Sequence, residues 1–293
     1  MALFSFVQAE FPWALGPSDG RHLLRDEDGE PEHVVVLSTL GAPRRHLLRG
    51  RRGARPATPD PAPVVTARAT IIAATPLPDE RAARTWLSRA DPDTVDAGLT
   101  VVNRVLFAHR IAAADPHVHE VTTAQALVLR VGYGDGEAVS EGRWLDAREL
   151  SLAARRVRRA AALRPQERLA LLLTGRQAAL DVEEFVLRAR ADLDAGRVSH
   201  GAWELRHAYA VGLPELEREG RADLRARLEE LRELQAGMPA PASDPDAPPP
   251  DVAQLRHALE RLEAALRART ASGFTIGREP VDPDPEPSPT EGA

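Results

Sequence analysis

The sequence predicts an α+β fold: an N-terminal, mainly antiparallel sheet with two helices, then a helical C-terminal region and a disordered tail. Three observations carry this. Strand-like apolar runs crowd the first half, at residues 3–9, 22–25, 33–38 and 64–75. Two helical stretches then precede two more strand-like runs, at 124–133 and 137–144. Beyond Trp144 the apolar residues recur at helical spacing, punctuated by Gly and Pro.

Each element has its own warrant. LFSFVQA reads as a first strand, and HLLR and HVVVLS flank the acidic turn DEDGEPE as a hairpin. VVTARATIIAAT is β-branched and reads as a buried strand. Asp79 is placed to cap a helix over DERAARTWLSRA, and Asp93 a stronger one over TVDAGLTVVNRVLFAHRIAAA. In the latter, Val95, Leu99, Val102 and Leu106 form a core-facing stripe.

In the second half Pro165 suits the first position of a helix that Gly175 stops. DVEEFVLRARADLDAG follows, with Phe185, Ala189 and Leu193 inward and Gly196 as the stop. Ser199 is placed to cap a helix ending at Gly212, and RADLRARLEELRELQ is a further helix. Val252, Leu255, Leu259, Leu262 and Leu266 alternate three- and four-residue steps, a short heptad seam expected to fold back on 222–235.

The expected organisation is an α+β domain over 1–148, with a flexible Arg- and Pro-rich loop at 41–63, and a helical region over 149–236. A Pro-rich linker at 237–251, the heptad helix at 252–270 and an acidic, Pro-rich tail at 271–293 complete it.

Composition excludes several chemistries. With no Cys in 293 residues there are no disulfides, thiolate metal sites or Cys nucleophile. With no Lys, the 38 basic residues are all Arg, a bias that reads mainly as codon usage. It removes the P-loop Lys, the kinase strand Lys and any Schiff-base amine. The N-terminus lacks a basic start and meets Glu10 early, unlike a secretory signal. No apolar run is long enough for a membrane span, so cytoplasm is the expected compartment. A net charge of −6 argues against general nucleic-acid binding by the whole chain.

GYGDGE, Gly132 to Glu137, resembles a phosphate loop in its glycine spacing. A dinucleotide loop must open a helix, whereas AVSEGRW reads as strand. A hairpin turning at Asp135-Gly136 is therefore expected, setting Arg130 opposite Glu141 and Leu127 opposite Trp144.

His117 and His119, two apart in an extended segment, present both imidazoles to one side. They are the candidate metal ligands, with Asp115 or His109 as a third. His200 and His207 share a helix without ligand spacing. Two Arg clusters are candidate phosphate contacts: Arg44, Arg45, Arg49, Arg51, Arg52 and Arg55 in the loop, and Arg155, Arg156, Arg158 and Arg159 on an amphipathic stretch, 152–163. No nucleophile elbow or acid/base pair stands out, and no catalytic or cofactor-binding residue and no cofactor is expected.

The expected role is that of a non-enzymatic interaction or regulatory protein acting through its helical half. It would bind a protein partner, or itself, through helices 222–235 and 252–270. The alternatives are a nucleic-acid-associated protein using the Arg clusters, and a metal-dependent enzyme centred on His117 and His119.

Overall fold

The structure, a computed structural model, describes residues 2–41, 65–151, 165–238 and 250–271. The Arg-rich loop, both Arg clusters and the tail from 272 onward lie outside these residues. The chain divides into two compact units, Met1–Arg156 and Val157–Ala293.

The first unit is α+β. Strands β1 (Leu3–Phe11), β2 (Gly20–Arg25), β3 (Pro31–Leu40), β4 (Thr66–Ala73), β5 (Val128–Asp135) and β6 (Asp146–Glu149) form one sheet in the order β2-β3-β4-β1-β5-β6. Every neighbouring pair is antiparallel. The period-two alternation of β1 sorts its residues cleanly. Val7, Ala9 and Phe11 join the main core with Val35, Leu37, Ala69, Ile71, Leu129 and Val131. Helices α1 (Glu80–Arg89) and α2 (Pro92–Ala113) cover that face, supplying Ala83, Leu87, Val95, Leu99, Val102 and Leu106.

Both helices begin where a side chain satisfies free backbone amides. Asp79 accepts from the Ala82 amide at 2.7 Å. For α2 the cap is Asp91, not Asp93: Asp91 and Thr94 exchange hydrogen bonds in a capping box, and Pro92 takes the first turn. Asp93 is two residues too late, since the proline at the first helical position has already set helical φ.

The opposite face holds a smaller apolar cluster of Phe6, Val36, Ile72 and Val139. Here the expected hairpin is corrected. Asp135 does not start a two-residue turn; its carboxylate accepts from the Glu137 and Ala138 amides. That cap opens the short helix α3 (Gly136–Ser140), which drops Val139 onto Phe6 and Ile72. The chain turns at Gly142, in left-handed backbone at φ 81°, and only then forms β6. Arg130 therefore lies opposite Glu149, not Glu141, and Leu127 lies outside the strand and exposed.

The second unit is helical: α4 (Pro165–Leu173), α5 (Asp181–Asp194), α6 (Val198–Arg218), α7 (Arg225–Gly237) and α8 (Val252–Ala271). Gly175 and Gly196 sit at positive φ after α4 and α5, as helix stops do. Ser199 is not a cap, because α6 has already begun at Val198. Nor does α6 end at Gly212. It runs through Gly212 and Pro214 to Arg218, and a Cβ at Gly212 would collide with Val182 Cγ2. The glycine is there for close packing of α6 on α5, so it does not act as a stop.

The seam of α8 is buried within this unit. Leu255, Leu259, Leu262 and Leu266 join Val186, Leu193, Leu205, Tyr209, Leu228 and Leu231 in one core. The helix packs on α5 and α6 as well as on the 222–235 segment, because a two-heptad seam flanked by three apolar faces buries more area among all three. Ion pairs fix it there: Arg190 of α5 holds Glu263 through two bonds of 3.0 and 2.9 Å, and Arg261 meets Glu230 of α7 at 2.6 Å.

Candidate interaction surface

Helix α6 carries two apolar faces. Leu205, Ala208, Tyr209, Leu213 and Leu216 face the core. On the outside, Trp203, His207 and Ala210 follow one another at steps of four and three, a single surface row. Trp203 remains 46% exposed. The His207 ring stacks on Phe185 of α5, centroids 5.9 Å apart and planes 25° apart, and lies 6.5 Å from the Trp203 ring. Its Nδ1 is 3.0 Å from the Trp203 carbonyl oxygen. The His207 ring is thus held by the Trp203 carbonyl of its own helix and by Phe185.

Beside this row is a cleft of about 220 Å³ lined by Trp203, Arg206, His207, Ala210, Gln235 and Met238. Arg206 closes one wall by donating to the Met238 carbonyl at 3.2 Å. The cleft thus combines an exposed indole with Met238 and Ala210 and a rim formed by Arg206 and Gln235.

The inner face of α6 is strictly structural. Tyr209 is fully buried and donates to the Ala258 carbonyl at 2.8 Å. Burial, reinforced by the Glu230 carboxylate, pushes its phenol well above the ordinary tyrosine range.

The residues singled out from sequence fall in separate places. His117 and His119 are exposed on either side of buried Val118. Their loop is pinned by Asn103, which donates to the Val121 carbonyl at 2.9 Å and accepts from its amide at 2.8 Å. The Asp115 carboxylate is engaged by the His117 amide, and the His109 ring lies beside Gly16, as does Val118. Among the described residues no three His, Asp or Glu gather into a group that could hold a metal ion. No helix among them is long and apolar enough to cross a membrane. Trp203 was not singled out; its signal was a large aromatic on the face of α6 opposite the core stripe.

Comparison of the chain with known protein families, with curated proteins and with solved structures finds no match.

Proposed function

We propose that the chain is a protein-interaction module that binds an apolar element of a partner protein on the outer face of α5 and α6. The observation that carries this reading is the exposed, pre-positioned pair Trp203 and His207 beside an open cleft. An exposed Trp is among the residue types that most often anchor an interface, because it buries a large area with few rotatable bonds. The leucine seams of α7 and α8 are used within the unit itself, whereas Trp203 on the outer face of α6 remains exposed.

The test is affinity capture by the full chain compared with Trp203→Ala and His207→Ala. Both side chains lie outside the core, so melting temperature and far-ultraviolet circular dichroism are expected to hold. Partners retained by the parent chain are expected to be lost from the Trp203→Ala chain. Equal capture by both chains overturns the reading. So does a set of partners that consists of nucleic acid and disappears with rising salt.

A further inference from the structure

We propose that helix α4 is a latched arm of the helical unit, held by Arg168 and released when the buried Arg269 takes over the carboxylate they share, Glu183. This goes beyond the α6 reading and concerns a different surface.

The latch is one carboxylate oxygen. Glu183 stands in the first turn of α5, and its Oε2 accepts from the Leu180 amide at 3.1 Å. Its Oε1 accepts from Arg168 of α4. The same oxygen lies 3.8 Å from Nη1 of Arg269 on α8, too far for a hydrogen bond. Arg269 is wholly buried and its Nε is taken by Glu219. Among the described residues its Nη1 and Nη2 have no hydrogen-bond partner. Two guanidiniums thus face one oxygen, and the more deeply buried of them goes without it.

That arrangement is a choice between two pairings. Arg168 keeps 29% of its side chain exposed, so water can replace Glu183 when it leaves. Arg269 has no such substitute. A shift of about 1 Å would bring its Nη1 into bonding distance of Oε1. The bond gained by a buried charge then offsets the part-exposed pair that is lost. Like charge on the two guanidiniums opposes both sitting on the oxygen together.

The arm is lightly held otherwise. No residue of α4 is buried, and Leu169 and Leu173 are 48% and 78% exposed. Its nine residues are fewer than the roughly 12–15 that an isolated helix needs to persist in water. Gly175, just beyond it, has φ 67° and open space around its Cα, as a pivot requires. Gln177 is buried and stays with the unit. Release would also uncover Leu171 and Leu172, now half-buried, so the free arm would carry four leucines.

The experiment is hydrogen exchange, read by mass spectrometry, on the full chain and two variants. In the parent the amides of 169–175 are expected to exchange faster than those of α5 and α6, by local opening. Arg168→Met should speed them a further five-fold or so, with α5, α6 and the melting temperature unchanged. Glu219→Leu with Arg269→Met removes the competitor without stranding a buried charge, and should slow the same amides. The two changes thus act in opposite directions, which a merely stabilising ion pair would not produce. Unchanged exchange of 169–175 in Arg168→Met overturns the latch, as does a rise spread equally over α5 and α6. Unchanged or faster exchange of 169–175 in the double variant overturns the competition. If 169–175 exchange at the rate of α5 and α6 in the parent, α4 opens only with the whole unit and the proposal falls.

Discussion

Arg269 donates from Nε to Glu219 Oε1 at 2.6 Å inside the helical unit, with its side chain wholly buried. Its NH1 lies 3.8 Å from Glu183 Oε1, and neither NH1 nor NH2 has a hydrogen-bond partner among the described residues. A buried guanidinium with two free nitrogens is held against its desolvation cost mainly by this one carboxylate.

Removing that carboxylate should therefore be severe. Glu219→Ala is expected to lower the unfolding free energy by about 3–5 kcal/mol, the usual cost of stranding a buried charge. The double change Glu219→Leu with Arg269→Met should recover most of the loss or exceed the parent, since apolar side chains of similar size remove the desolvation cost. Urea unfolding of the parent, the single and the double variant checks both statements. A small single-mutant loss, or a double mutant worse than Glu219→Ala, refutes them.

The register around β5 is open to a second test. Arg130 donates to Gln8 Oε1 and to Glu149 Oε1, and its guanidinium lies 4.9 Å from the Trp144 ring centroid. Glu141 instead pairs with Arg143 on the surface. Glu149→Ala is expected to cost up to about 1 kcal/mol, because Glu149 is largely exposed and solvent screens the pair. Glu141→Ala should be close to neutral. Gln8→Ala should cost more, about 1–3 kcal/mol, since Gln8 is fully buried and bridges Arg130 to Thr70. Gly132→Ala should also be costly, because a Cβ there would lie 2.6 Å from both the Asp146 carbonyl oxygen and Phe6 Cζ.

Tyr209 links stability to alkaline pH. Its phenol is raised in the folded state, so folding favours the protonated form. That contribution is fully present below the unfolded tyrosine value of about 10 and is lost as pH climbs from there toward the folded value. Ultraviolet titration should show Tyr209 ionising only as the helical unit unfolds. Tyr209→Phe should cost about 1 kcal/mol at neutral pH, for the lost bond to the Ala258 carbonyl, and remove this part of the alkaline destabilisation. Reversible ionisation of Tyr209 near pH 10 in folded protein would contradict the assignment.

Much of the fold is legible in local pattern. The stripe Val95, Leu99, Val102 and Leu106 is buried because one helix face meets one sheet face, and periodicity reports that directly. Asp79 and the positive-φ glycines Gly175 and Gly196 are local punctuation and act as such. The errors arose where a distant neighbour outweighed the local preference. Gly212 reads as a stop, yet Val182 of another helix requires it inside α6. Asp135-Gly136 reads as a hairpin turn, yet burying Val139 on Phe6 and Ile72 favours a turn of helix there. The exposure of Trp203 is not legible in the sequence, because it depends on what does not pack against that face of α6.

The sequence by itself determined the α+β class, the helical second half, the chemistries excluded by the lack of Cys and Lys, and most core-facing stripes. Those features depend on composition and on spacing within one element, which the chain carries locally. Only the tertiary structure decided the strand order, the Arg130 to Glu149 register, the internal use of the α8 seam, and the side of α6 left exposed. Each depends on the contact of segments far apart in the chain, where burial of apolar area and desolvation of charge outweigh the local signals. GYGDGE shows both levels. Its glycines announce close backbone packing, while the partners that require them, Phe6, Asp146 and Trp144, are brought together by the sheet.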